Sequence, residues 1–104
     1  MIENINDRLQ KIDSYFRVTN TTMSERERLF SRIIKLNEEV GELCEAVLHE
    51  NDPNQRGKEK EIDLDSELAD VLICTLLLAQ NREKDVWSEV DKKLAKQMNK
   101  FNLN

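Results

Sequence analysis

The chain has 104 residues, with 16 Lys plus Arg against 21 Asp plus Glu, a formal net charge of −5, and only two Gly and one Pro. That length fits a single domain over residues 1–104, and so few turn residues argue against a many-stranded sandwich or barrel, as the composition does against collagen-like, disulfide-scaffold and disordered classes. The acidity argues against a nucleic-acid duplex as partner, because phosphate affinity comes mostly from Lys and Arg; a small anionic ligand stays compatible if a cation intervenes.

In chain order, MIENINDRLQ has no apolar core and predicts neither a signal peptide nor a transit peptide. Ile5, Leu9, Ile12 and Phe16 recur at spacings of three and four, marking one apolar stripe on a first helix. Asn20-Thr21-Thr22 breaks that pattern. Thr22 to Glu25 and Ser24 to Glu27 both read as capping boxes that open a second helix running toward Glu50, with Leu29, Phe30, Ile33, Leu36, Val40, Leu43, Cys44 and Val47 on its apolar face. Asn51 to Gly57 holds the Pro and one Gly and predicts a loop.

A third helix is expected from about Glu61 to Gln80, apolar nearly all round in its second half. Asn81 to Lys84 forms a polar joint, and Val86, Val90, Leu94 and Met98 then mark a fourth, amphipathic helix flanked by Trp87 and Phe101. The expected architecture is an all-α antiparallel four-helix bundle. Residues 71–79 leave no wet face on the third helix, so the bundle is expected to be completed by homo-oligomerisation, as a homodimer or homotetramer. Val71 to Ala79, interrupted only by Thr75, falls far short of the ~20 residues that span a bilayer. No membrane partner and a cytoplasmic location follow as expectations. Cys44 and Cys74 lie in helix-patterned apolar segments with no CxxC pair, which predicts reduced, buried thiols. Trp87 and Phe16 read as core packing ahead of base stacking.

The acids carry the chemistry. At about 100° per residue, Glu38, Glu42 and Glu45 share one face of the second helix and Glu39 stands at the edge of its apolar arc. A solvated acidic face is the bland reading of such a cluster. On the third helix Glu67 and Asp70 point the same way, beside Val71, Cys74, Leu77 and Leu78, at the rim of an apolar surface. Two carboxylates drawn from water together must be paired, protonated or metal-bound, and the nearest bases in sequence, Lys58, Lys60 and Arg82, flank that helix. Set antiparallel, Glu39-x-x-Glu42 faces Glu67-x-x-Asp70 in an all-oxygen site suited to Mg²⁺ or Mn²⁺. A di-iron centre needs Glu-x-x-His on two helices, whereas His49 is the one His here and reads as a helix-end surface residue.

Lys35-Leu36-Asn37-Glu38-Glu39-Val40-Gly41-Glu42-Leu43, followed 25 residues after Glu42 by Glu67-Leu68-Ala69-Asp70-Val71-Leu72, resembles the all-α MazG-type nucleoside triphosphate pyrophosphatases. Similar in this respect are the dCTP pyrophosphatases, dimeric dUTPases and phosphoribosyl-ATP pyrophosphatases. The resemblance covers about residues 33–101. It implies Mg²⁺-dependent hydrolysis of a nucleoside triphosphate to monophosphate and pyrophosphate, with Glu39, Glu42, Glu67 and Asp70 as metal ligands. Glu38 would be an outer-shell ligand or the base for the attacking water.

Lys93 to Phe101 is similar to the family's basic end, which implies phosphate contacts for Lys93 and Lys100, although Gln97 stands where the family often has Asn and no Pro follows Phe101. Read from the residues alone, Lys93, Lys96 and Lys100 are equally a solvated face at a helix C-terminus. The absence of GxxxxGK[ST] excludes a P-loop NTPase. The expected function is clearance of surplus or non-standard (deoxy)nucleoside triphosphates. The alternatives are a non-catalytic helical oligomerisation module and, within the same superfamily, a phosphoribosyl-ATP pyrophosphatase.

Overall fold

The computed structural model describes residues 2–51, 63–82 and 85–104. Most of the predicted Asn51 to Gly57 loop, the Glu61 start of the third helix and the Glu83-Lys84 part of the polar joint lie outside the described residues. The described residues form four helices and no strand: α1 (Ile2–Thr19), α2 (Glu25–Asn51), α3 (Leu64–Asn81) and α4 (Val86–Lys100).

Local chemistry sets the helix ends. At α2 the capping box is reciprocal: the Glu27 amide donates to Ser24 Oγ at 3.1 Å and the Ser24 amide to Glu27 Oε1 at 3.2 Å. The alternative box at Thr22 does not form, because Glu25 is taken by Arg17 Nη1 at 2.9 Å. Asp63 caps α3 by accepting from the Asp65 amide, and Asp85 caps α4 by accepting from the Ser88 amide. α4 stops in a Schellman turn, with Asn102 at φ 57° and the Leu103 amide donating to the Met98 carbonyl at 2.8 Å.

α2 and α3 are the principal packed pair, and α1 leans on α3. The reason is the near-continuous apolar surface of α3, which can meet one helix on each of two sides. Leu9, Leu76 and Leu77 form the buried cluster, with Ile5, Phe16, Val86 and Trp87 packed around it. Phe16 and Trp87 are thus core-packing residues, as expected, and the Trp87 indole donates to Asn6 Oδ1 at 3.0 Å, fixing the start of α4 to α1. Arg17 ties three helix ends together, donating to Asp13 at 3.0 Å, to Glu25 at 2.9 Å and to the Asn81 carbonyl at 3.4 Å.

Apolar surface stays uncovered on every helix, on α1 and α2 including Tyr15, Val18, Phe30, Ile34 and Leu48. On α3, Leu68, Leu72 and Ile73 are exposed, Leu72 at 55%. On α4, everything from Ser88 onward is exposed, including Val90, Leu94 and Met98. The Cα radius of gyration is accordingly 17.1 Å, against about 13 Å for a compact domain of this size. Cys74 is half-buried, whereas Cys44 is exposed, a correction to the expectation of two buried thiols: no helix among the described residues covers that flank of α2. His49 is half-buried and does not sit free on the surface.

Candidate metal centre

The α2–α3 packing brings the two acidic motifs together. Glu39, Glu67 and Asp70 each offer a carboxylate oxygen within 4.8 Å of the others. Glu39 lies in the helix interface, 7% exposed, while Glu67 and Asp70 are half-buried. Helical spacing explains the arrangement: Glu67 and Asp70 stand one turn apart on α3, and Glu39 rises from the edge of the apolar arc of α2.

Electrostatically the trio is incomplete. Three carboxylates this close repel, and among the described residues Lys35 answers them: its Nζ lies 3.2 Å from Glu39 Oε1 and 3.7 Å from Glu38 Oε2. Hydrogen bonding to Glu39, reinforced by its charge, raises the Lys35 pKa above the usual ammonium range. Glu39 Oε2 and Glu67 Oε2 are enclosed and have no hydrogen-bond partner among the described residues. Buried carboxylate oxygens left without a donor are costly, and a hard divalent cation satisfies several at once. An all-oxygen donor set with two orphaned acceptors therefore fits Mg²⁺ or Mn²⁺.

Glu42 stands outside the trio and is exposed, but it feels its neighbours: the Glu39 charge, then loss of hydration, then the Glu67 charge push its carboxyl above the usual range. Glu38 is exposed and shares Lys35 with Glu39. Burial, and after it the charge of Glu39, raises the Cys74 thiol, so the side of α3 that carries Asp70 also carries a neutral sulfhydryl.

Lys93 and Lys100 lie on the exposed length of α4. Among the described residues no hydrogen bond or ion pair joins either lysine to the carboxylates; the Lys100 ammonium sits 5.6 Å from the centre of the Phe101 ring. Lys35 is the residue that sequence reasoning missed. Its signal was legible as Lys35-x-x-x-Glu39, an i,i+4 ion pair on a helix.

A family model described as the MazG nucleotide pyrophosphohydrolase domain matches residues 29–103. This chain belongs to the MazG family. The match takes in both acidic motifs and α4, and leaves α1, the turn into α2, the first turn of α2 through Arg28 and the last residue outside. No curated protein and no solved structure matches the chain significantly. MazG membership supports a nucleotide pyrophosphohydrolase activity and a divalent-metal requirement, and the acidic trio lies inside the matched segment. No helix among the described residues is long and apolar enough to cross a membrane.

Proposed function

We propose that this MazG protein hydrolyses (deoxy)nucleoside triphosphates to the monophosphate and pyrophosphate in a Mg²⁺-dependent reaction, clearing surplus or non-standard nucleotides from the cytoplasmic pool. The carrying observation is the convergence of Glu39, Glu67 and Asp70 within 4.8 Å, with two enclosed oxygens left unpartnered, inside the MazG match.

In this reading Glu39, Glu42, Glu67 and Asp70 hold the cation. Bound there, Mg²⁺ or Mn²⁺ neutralises phosphate charge and polarises the phosphoryl group under attack. Glu38, exposed beside the trio, accepts a proton from the attacking water. The water oxygen forms a bond to the α-phosphorus, the bond from that phosphorus to the bridging oxygen breaks, and pyrophosphate departs with the electron pair. Nothing covalent is asked of the protein, so its residues act by positioning and by offsetting charge. Lys93 and Lys100 are the proposed phosphate contacts from α4.

The antiparallel course of α2 and α3 belongs to this reading. Its support is that Glu39 lies near Glu67 and Asp70, whereas Arg32 and Lys35, earlier on α2, act on Cys74, later on α3. The reading also takes residues 1–104 as one domain and the assembly as a homodimer or homotetramer. Support for the assembly comes from an apolar groove of about 270 Å³ lined by Ile5, Leu9, Ile12, Leu72, Ile73 and Leu76, together with the bare stripe of α4.

The test is to incubate the purified protein with Mg²⁺ and a panel of nucleoside and deoxynucleoside triphosphates and to assay pyrophosphate. Release from at least one member is expected. No release from any, with metal shown to be bound, sinks the reading in favour of a non-catalytic helical module.

A further inference from the structure

The described residues close a second cavity, of about 280 Å³, where α1 ends and α2 begins. Its walls include Asp13, Phe16, Arg17, Arg28, Arg32 and Lys35. Four cationic side chains thus face one carboxylate, in a chain whose net charge is −5.

The local pairing leaves this positive charge underused. Arg17 is committed to Asp13, Glu25 and the Asn81 carbonyl. Arg32 lies 3.6 Å from Asp13 Oδ1, beyond a good hydrogen bond, with its guanidinium 4.5 Å from the centre of the Phe16 ring. Among the described residues Arg28 donates one long bond, to the Met23 carbonyl at 3.3 Å, and its enclosed Nε has no partner. Guanidinium forks with spare N–H groups match phosphate oxygens in geometry as well as charge.

The position of the cavity matters as much as its charge. Lys35 is in its wall and also touches Glu39 of the carboxylate trio. One side chain therefore separates the proposed cation site from the cationic cavity. Base stacking is a poorer fit for the occupant, because Arg32 already covers the Phe16 ring.

We propose that this cavity is a polyphosphate seat: it receives the terminal diphosphate of the substrate and retains pyrophosphate as product. The choice of ligand rests on the hydrolase reading above; the anion-binding character rests on the cavity itself. Arg28 is the residue to test, since among the described residues no cross-helix ion pair depends on it, whereas Arg17 pairs across helices with Glu25 and Arg32 with Asp13.

The experiment titrates inorganic pyrophosphate into the full chain by calorimetry, with and without Mg²⁺, for the wild type, Arg28→Gln and Arg28→Lys. A parallel experiment follows pyrophosphate inhibition of nucleotide turnover, with circular dichroism reporting helical content. Arg28→Gln is expected to weaken pyrophosphate binding about tenfold or more, to weaken its inhibition in proportion, and to leave Mn²⁺ affinity unchanged. Arg28→Lys should restore part of the loss.

If Arg28→Gln keeps full helical content and binds pyrophosphate as the wild type does, the seat is refuted whether or not nucleotides are hydrolysed. If the wild type hydrolyses no nucleotide yet binds pyrophosphate in an Arg28-dependent way, the hydrolase reading fails and the seat stands. Should Arg28→Gln fail to fold, the wild type alone decides: pyrophosphate must raise its thermal midpoint in Mg²⁺-free buffer, and no rise overturns the proposal.

Discussion

Glu39 is the residue on which the two acidic motifs turn, because it alone of the α2 acids is buried in the helix interface. Its place was legible in the sequence, since helical spacing set it at the edge of the apolar arc. Lys35 is equally legible at i,i+4 from Glu39, on the helix facing Glu67 and Asp70, whereas Lys58, Lys60 and Arg82 are nearer to those acids in sequence only. Gly41 adds a question at this scale. A Cβ built there meets nothing within 4 Å, so the single chain gives no steric reason for glycine in the middle of α2. Gly41→Ala should therefore stabilise the isolated chain by about 0.5–1 kcal/mol, seen as a higher thermal midpoint. A fall in activity alongside that rise would mean that substrate or a second copy approaches the backbone there.

Among the elements, α2 depends on its first turn. Ser24→Ala removes one half of the capping box and should cost about 1 kcal/mol, read from chemical denaturation. The pH dependence has a definite sign. Hydrogen bonds from the Ser24 amide and hydroxyl hold the Glu27 carboxyl below its usual value. Its contribution is therefore fully present above the unfolded value of about 4.3 and is lost as pH falls through the lower folded value. In Glu27→Gln the stability curve should lose that acid-side component and match the wild type in shape above pH 5; an unchanged acid limb contradicts the assignment. α4 was predicted from its stripe and forms as predicted, but periodicity cannot say what covers a stripe, and here only Val86 and Trp87 are packed. The same blindness explains Cys44, whose apolar neighbourhood on α2 has no covering helix among the described residues. Because α4 is exposed from Ser88 onward, the phosphate contacts proposed for Lys93 and Lys100 would be made, in the proposed assembly, to substrate at a second copy's carboxylates. Mixing Lys93→Ala/Lys100→Ala chains with Glu67→Gln/Asp70→Asn chains should then restore part of the activity that each has lost alone. Mixtures as inactive as their parents contradict that assignment.

For the whole molecule, a radius of gyration of 17.1 Å and exposed Leu68, Leu72, Ile73, Leu94 and Met98 describe a fold with unfinished surfaces. The sequence pattern revealed the surplus apolar area on α3, because no arc of residues 71–79 is polar enough to face water. It could not reveal the Arg17 tie or the cationic cavity, which join residues of α1, α2 and α3 far apart in the chain. Sedimentation should give the mass of two or four chains, and Leu72→Glu should release single chains; a monomeric wild type at micromolar concentration contradicts the assembly. The central claim is that Glu39, Glu67 and Asp70 form a divalent-cation site, and Mn²⁺ titration followed by loss of the free-ion resonance signal tests it most directly. The wild type should bind Mn²⁺ saturably and Mg²⁺ should displace it, while Glu67→Gln/Asp70→Asn should keep its helical content and bind none. Equal Mn²⁺ affinity in the two proteins, or no binding by the wild type, would contradict the account.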